Sequence, residues 1–174
     1  MSGTLGLERY IRDVPDFPIP GIVYRDITPL LARPEALRQA VEAMSEPWTG
    51  RGVDLVASME ARGFIFGAGV ALQLGAGFVP VRKAGKLPWK TREVRYTLEY
   101  GADVLHMHED GVAPGQKVLV VDDLIATGGT ASAVVDLVRQ LGGEVVGVQF
   151  LIELSDLKGR DLLRGCEARS VIIY

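Results

Sequence analysis

Residues 118–130, VLVVDDLIATGGT, decide which class of fold this chain can adopt. The segment begins with four apolar residues, continues with two adjacent carboxylates and ends in Thr-Gly-Gly-Thr. An uninterrupted apolar run is typical of a strand that is buried on both faces of a sheet. Because neighbouring carboxylates repel each other, their position directly after the strand indicates a site that needs two hydrogen-bond acceptors.

The rest of the chain repeats this pattern of an apolar strand followed by a helix. We expect strands at residues 53–59, 78–81, 118–121, 145–152 and 170–173. We expect helices at residues 34–46, 61–74, 130–141 and 156–164. Strands that alternate with helices form a parallel sheet covered on both faces. The predicted fold class is therefore α/β, a single domain over residues 1–174 with a central, mainly parallel sheet flanked by helices.

Two segments depart from this alternation. Residues 16–31, DFPIPGIVYRDITPLL, are rich in proline, which predicts an ordered loop near the N-terminus. Residues 92–108 show partial period-2 alternation, and Gly101-Ala102-Asp103 has the composition of a turn. This pattern predicts a β-hairpin.

Composition limits the possible function classes. The chain has 174 residues, of which 48% are hydrophobic and 24% charged, the balance of an ordinary globular protein. The net charge of -3 gives no reason to expect a nucleic-acid partner. The single cysteine, Cys166, cannot form an internal disulfide, and the charged N-terminal residues do not resemble a signal peptide. These features favour the cytoplasm.

A membrane span is the alternative interpretation of residues 63–81, which carry no charge and are nearly long enough to cross a bilayer. Four glycines, Gln73 and Pro80 interrupt the segment. A buried helix, a glycine turn and a short strand explain these residues better, so we expect no membrane contact.

The loop that follows residues 118–121 has the features of a monophosphate site. Glycines let the backbone approach a ligand, and the start of the next helix offers amide donors and a favourable dipole. A Walker loop is excluded because no Lys-Ser/Thr follows the glycines. Asp122 and Asp123 would repel a phosphate, so we expect them to accept hydrogen bonds from a vicinal diol or to hold a hydrated Mg²⁺. Together these features indicate a ribose 5-phosphate site, although Asp123 or Thr127 could instead simply cap the helix.

Residues 118–131 resemble the phosphoribosyl-pyrophosphate signature of the type I phosphoribosyltransferases. Four other blocks, DFPIPGIVYRDITPLL, EARGFIFG, FVPVRKAGKLP and TLEYG, resemble the adenine-specific members of that family in the family's order. The Ser58-Met59 pair departs from the family pattern, in which smaller residues precede Glu60. The resemblance implies transfer of ribose 5-phosphate from phosphoribosyl pyrophosphate to adenine, which yields AMP and pyrophosphate through a transition state with oxocarbenium character. It also implies Mg²⁺ as cofactor, held mainly by the substrate, an N-terminal hood over residues 1–33, a hairpin lid over residues 82–108, and a homodimer.

The resemblance also assigns roles to individual residues. It implies that the sugar phosphate is bound by Asp122, Asp123, Ala126, Thr127, Gly128, Gly129 and Thr130. It implies that pyrophosphate is bound by Arg62, Arg82, Lys83 and Lys86. Adenine would be bound by the backbone of Val23 and Arg25 and by the side chains of Tyr24 and Leu124. Glu99, in TLEYG, is implied as a catalytic residue for proton transfer.

Two other functions stay open at this point. Some regulatory proteins keep this fold and bind phosphoribosyl pyrophosphate without catalysis, although this short acidic chain shows neither a basic surface nor an extra domain. A transferase for xanthine or another 6-oxopurine is the second alternative, because recognition of a base by backbone atoms leaves little evidence in the side chains.

Overall fold

The computed structural model describes residues 6–98 and 101–174. Its strands are β1 (Arg12–Pro15), β2 (Val23–Asp26), β3 (Leu55–Met59), β4 (Gly77–Lys83), β5 (Thr91–Leu98), β6 (Gly101–His108), β7 (Lys117–Ile125), β8 (Glu144–Glu153) and β9 (Ala168–Ile173). Its α-helices are α1 (Thr28–Leu31), α2 (Pro34–Ser45), α3 (Arg62–Leu74) and α4 (Gly129–Gln140). Short 3₁₀ helices form at Leu7–Tyr10, Glu46–Trp48, Ser155–Leu157 and Gly159–Leu162.

Seven of these strands form one sheet in the order β5-β6-β4-β3-β7-β8-β9. The five strands from β4 to β9 in that order are parallel, and the β5–β6 hairpin joins the edge of β4 in antiparallel orientation. Strands β1 and β2 form a separate antiparallel pair. The predicted fold class, α/β with a mainly parallel central sheet, is confirmed.

Strand β7 is the middle one of the five parallel strands, and its side chains enter two different cores. Val118 and Val120 pack on one face with α4, whereas Leu119 and Val121 pack on the other face with α2 and α3. All four side chains are at most 2% exposed. The alternation follows from the period of two residues in a strand, and each face is covered by at least one helix.

The apolar segment 63–81 forms most of α3 and β4, as the sequence predicts. Gly75 ends α3 in the left-handed conformation with φ of 67°, which a residue without a Cβ adopts at little cost. No helix in the described part of the chain is long and apolar enough to cross a membrane.

Two predictions of secondary structure are wrong near the chain ends. Residues 16–31 are not only a loop, because β2 pairs with β1 and α1 follows directly. Residues 156–164 do not form an α-helix but two 3₁₀ helices. Lys158 separates them with φ of 52°, a left-handed conformation that ends the first helix.

Strand lengths and the hairpin turn also differ from prediction. Strand β6 begins at Gly101, so Gly101, Ala102 and Asp103 lie in a strand rather than in a turn. Strand β4 continues through Lys83, and β7 continues through Ile125 because its pairing with β8 does not stop at Val121. The two carboxylates after Val121 are therefore part of the strand itself.

Candidate active site

A cavity of about 410 Å³ opens where β3 and β7 end. Parallel sheets bind ligands at the carboxyl ends of their strands, and the volume of this cavity suits a small organic ligand. The cavity is lined by residues 59–62 and 122–131 and by Lys83, Tyr96 and Asp103. The acidic doublet and the following loop thus line this cavity, at the carboxyl end of β7.

Residues 126–130, here called the phosphate loop, comprise the connection after β7 and the first two residues of α4. Gly128 is the N-cap of α4, which has 12 residues and no acidic side chain in its first turn. The first backbone N–H groups of a helix have no partners within the helix, and the helix dipole makes this end favourable for an anion. The loop can therefore bind a phosphate group through main-chain donors.

Gly128 is required by two features of this loop. Its φ of 84° is left-handed, and a Cβ at this position would lie 2.2 Å from the carbonyl oxygen of Gly159. The loop backbone thus packs directly on a second backbone segment, and no side chain at position 128 could fit between them.

The two carboxylates lie at successive positions of β7. Asp123 is 6% exposed, and its Oδ2 lies 2.9 Å from Nε of Arg62 but accepts no hydrogen bond. Oδ1 of Asp122 accepts the N–H of Asp123 at 2.9 Å. Burial, followed by the neighbouring negative charge, raises the pKa of Asp122 well above its usual range. Burial also raises the pKa of Asp123, against the opposing charge of Arg62. A ligand that donates hydrogen bonds here would relieve this repulsion.

Glycines of α3 make room for the Asp122 carboxylate and for the unexpected Ser58. A Cβ on Gly63 would lie 2.5 Å from Oδ1 of Asp122, and a Cβ on Gly67 would lie 2.5 Å from Cβ of Ser58. The Ser58 hydroxyl donates to the carbonyl oxygen of Val121 at 2.7 Å, so this buried polar group is satisfied. The departure from the family pattern at Ser58 is therefore accommodated between β3 and α3.

Two of the four cations predicted for pyrophosphate, Arg62 and Lys83, line the cavity. Arg62 contacts Asp123, and Nζ of Lys83 lies 2.8 Å from Oδ2 of Asp103. The Asp103 hydrogen bond and charge raise the pKa of Lys83, so this side chain stays a cation at neutral pH.

Arg82 and Lys86 are not among the described residues that line the cavity. Arg82 binds the carboxylate of Glu60 at 2.9 Å and donates to the carbonyl oxygen of Lys86 at 3.1 Å. Glu60 also accepts the N–H of Lys83 at 2.7 Å. Burial alone would raise the pKa of Glu60, but these hydrogen bonds outweigh it and lower the pKa.

The residues predicted for adenine are divided between two places. Leu124 lines the cavity, whereas Val23, Tyr24 and Arg25 lie on β2 and do not line it. The Tyr24 hydroxyl accepts a hydrogen bond from Arg62, whose guanidinium carbon is 5.1 Å from the Tyr24 ring centroid. Tyr24 therefore contacts a residue of the cavity wall without lining the cavity itself. Glu99 lies outside the described residues.

Sequence reasoning missed Tyr96 and Asp103 as residues of the cavity wall. They are register partners on β5 and β6. The alternation over residues 92–108 indicates the hairpin, but a turn placed at residues 101–103 pairs Tyr96 with a different residue of the second strand. A correct turn position would have shown that the two side chains are cross-strand neighbours.

Comparison with known proteins agrees with the geometry. Residues 28–172 match the family model described as phosphoribosyl transferase domain. The chain is 58% identical to the adenine phosphoribosyltransferase of Thermobifida fusca, with 95% of this chain and 94% of that protein covered. The chain belongs to the adenine phosphoribosyltransferase family. It is accordingly a transferase.

Solved structures of adenine phosphoribosyltransferases share the whole fold. The enzyme from Thermoanaerobacter pseudethanolicus superposes with a TM-score of 0.96 at 48% identity, with 99% of this chain and 100% of that chain covered. The Saccharomyces cerevisiae enzyme was solved in complex with adenine and D-2,5-dideoxy-2,5-imino-altritol 1,6-bisphosphate. It gives a TM-score of 0.90 at 37% identity over 95% of this chain and 96% of that chain.

Replacement of Gly128 by alanine should remove most of the transferase activity, whereas the matched variant Gly115→Ala should keep it. Gly128 and Gly115 have φ of 84° and 82°, so alanine carries the same backbone strain at both positions; left-handed strain is about 1–2 kcal/mol. Only at position 128 does the new Cβ also meet a carbonyl oxygen, since no atom lies within 4 Å of it at position 115. Turnover and urea unfolding of both variants test this, and equal losses would contradict the role of the Gly159 contact.

Proposed function

We propose that the chain joins adenine to phosphoribosyl pyrophosphate and releases AMP and pyrophosphate, a reaction of purine salvage. The observation that carries this proposal is the presence, in one cavity, of an anion-binding helix start, the carboxylates of Asp122 and Asp123, and two cations. The adenine phosphoribosyltransferase relative at 58% identity supports the choice of base. The complex of the yeast enzyme, at 37% identity, supports binding of adenine beside a phosphorylated sugar analogue.

The sugar phosphate would occupy the side of the cavity formed by β7 and α4. Its 5-phosphate would accept hydrogen bonds from the backbone N–H groups of residues 127–130 and from the two threonine hydroxyls of that segment. The vicinal hydroxyls would donate to Asp122 and Asp123. This arrangement satisfies the Oδ2 atom of Asp123, which accepts no hydrogen bond from the protein.

Adenine would lie between Tyr24 and Leu124, with the backbone of Val23 and Arg25 as its hydrogen-bond partners. Leu124 lines the cavity, and Tyr24 is linked to the cavity wall through Arg62. Stacking of a base on an aromatic ring contributes about 1–3 kcal/mol. The β1–β2 pair would act as the hood that carries three of these four residues.

The carboxylate pair fits a hydrated Mg²⁺ better than a directly bound ion. Among the described residues, no group of three or more His, Cys, Asp or Glu side chains could hold a metal. Mg²⁺ keeps several waters and prefers phosphate oxygens of the substrate. Asp122 and Asp123 would therefore hold the ion through waters, while the substrate supplies its direct ligands. When bound, Mg²⁺ neutralises part of the charge on the pyrophosphate.

The protein's own groups would favour the transition state in three ways. As the bond from the anomeric carbon to the pyrophosphate oxygen breaks and the adenine nitrogen bonds to that carbon, the sugar gains oxocarbenium character. The anionic side chains on β7 stabilise positive charge on the sugar, and Arg62 and Lys83 stabilise the departing pyrophosphate. Arg82 and Lys86 would join them when residues 82–108 close as a lid and exclude water.

The reaction itself is tested by a panel of bases. Adenine, hypoxanthine, guanine, xanthine and orotate are each offered with phosphoribosyl pyrophosphate and Mg²⁺, and product nucleotides are separated by chromatography. We expect AMP from adenine, little or no product from the other bases, and loss of turnover on addition of EDTA with recovery on excess Mg²⁺. Turnover of only an oxopurine would refute the choice of base. Binding of the activated sugar without turnover of any base would favour a regulatory protein.

Glu99 is proposed to take part in proton transfer at the base, on the strength of the TLEYG resemblance. We expect Glu99→Gln to lower kcat by roughly 10²- to 10⁴-fold, the range for loss of a general acid or base. The KM for phosphoribosyl pyrophosphate should change little, because other residues are assigned to that substrate. Steady-state kinetics measure both constants, and normal turnover in Glu99→Gln would remove Glu99 from the mechanism.

A homodimer is proposed as the state in solution. Ile65 and Leu72 project from the same face of α3 and are 42% and 84% exposed, and Phe78 on β4 is 37% exposed. Apolar side chains so exposed are typical of an interface when they cluster. Light scattering should give twice the chain mass of 18.8 kDa, and Leu72→Glu should shift the mass toward that of one chain. A wild-type mass of 18.8 kDa would contradict the dimer.

A further inference from the structure

The turn at residues 158–160 packs directly against the backbone of the phosphate loop. A Cβ on Gly159 would lie 2.3 Å from the carbonyl oxygen of Ala126 and 3.0 Å from the backbone nitrogen of Gly128. A Cβ on Gly128 would in turn lie 2.2 Å from the carbonyl oxygen of Gly159. The two backbones therefore touch, and a shift of one must move the other.

Arg160 fixes this turn to the two last strands of the sheet. Its Nε and one terminal nitrogen donate to the two carboxylate oxygens of Glu153, at 2.6 and 2.5 Å. The other contacts are to the carbonyl oxygen of Ala168 and, at 3.2 Å, to the hydroxyl of Ser170. Glu153 is 8% exposed, so the pair is shielded from water on the carboxylate side. A planar, two-point pair of this kind restricts orientation more than a single contact does.

Glu153, the partner of Arg160, is also connected to the phosphate loop through β7. Glu153 is the register partner of Ile125, the last residue before the loop. The next residue, Leu154, donates its N–H to the carbonyl oxygen of Ile125 at 3.0 Å. The phosphate loop is thus held at its start by pairing with β8 and at Gly128 by contact with Gly159. The Arg160–Glu153 ion pair connects β8 to the turn that contains Gly159.

We propose that Arg160 is a positioning residue for the sugar phosphate, acting through Gly159 and the backbone of the phosphate loop. The inference rests on the proposed function, because it assumes that the loop amides bind the 5-phosphate. Amide donors of a rigid loop bind an anion well only while their directions converge. Without Arg160 the turn can move away, and the loop amides lose that convergence.

The test compares Arg160→Ala with Arg160→Lys and with the matched control Arg51→Ala. Arg51 also binds a glutamate at two points, Glu167 at 2.6 and 3.4 Å, but this pair involves neither the turn at residues 158–160 nor the phosphate loop. Steady-state kinetics are measured well below the melting temperature of each variant, so that only folded protein is compared. Arg160→Ala should raise the KM for phosphoribosyl pyrophosphate by roughly ten- to a hundredfold, the effect expected of a small misplacement.

Three further readouts separate positioning from simple stabilisation. The KM for adenine at saturating phosphoribosyl pyrophosphate should stay within about twofold, Arg160→Lys should recover part of the loss, and Arg51→Ala should lower the melting temperature without changing either KM. If Arg160→Ala changes only the melting temperature, as Arg51→Ala does, the inference is wrong.

Calorimetry with ribose 5-phosphate tests the same idea without catalysis. Wild type should bind the sugar phosphate, and Arg160→Ala should bind it at least tenfold more weakly, in line with the kinetic estimate. Equal affinities would overturn the positioning role while leaving the proposed function intact. Absence of both binding and adenine turnover in the wild type would instead overturn the proposed function.

Discussion

The unequal lengths of β3 and β7 create the cavity on which the rest of the site depends. Strand β3 ends at Met59, and its pairing with β7 stops at Val121. Strand β7 continues to Ile125 and pairs there only with β8. Its last residues are therefore held in strand geometry on one side while the side toward β3 opens into the cavity.

This geometry allows acidic and anion-binding groups to occur close together in the chain. Asp122 and Asp123 stay in the strand, where Asp123 is buried and paired with Arg62. The helix start that favours an anion lies beyond Gly128. The carboxylates and the start of α4 therefore lie at different places. An anion that the helix start attracts is kept away from the carboxylates that would repel it. A sugar phosphate has the complementary arrangement, with its hydroxyls and its phosphate at different ends of one small molecule.

Much of this arrangement could be predicted from the sequence because it depends on local patterns. The apolar run of β7, the glycines of the loop and the 3.6-residue period of α4 are all visible in residues 118–141. The extension of β7 could not be predicted in the same way, since aspartate is a poor strand former and the extension is held by the pairing of Asp122, Leu124 and Ile125 with β8. Tertiary contact overrides local preference there.

Contacts between distant segments were equally hidden in the sequence. The Lys83–Asp103 ion pair depends on the register of the hairpin, and the support of the phosphate loop by Gly159 depends on a turn predicted to be helical. Lys83 and Arg62 also face carboxylates of the same chain, a pairing that spacing alone does not predict. A pyrophosphate group bound there must compete with Asp103 and Asp123 for these cations, so binding exchanges existing ion pairs rather than filling an uncompensated positive site.

A crystal structure of the protein with bound AMP would show whether the sugar phosphate binds at the end of β7 and the start of α4. We expect the phosphate at hydrogen-bond distance from the backbone nitrogens of residues 127–130, and the two ribose hydroxyls on the carboxylates of Asp122 and Asp123. Clear density for the nucleotide at another place, with the loop before α4 holding no phosphate, would contradict this placement.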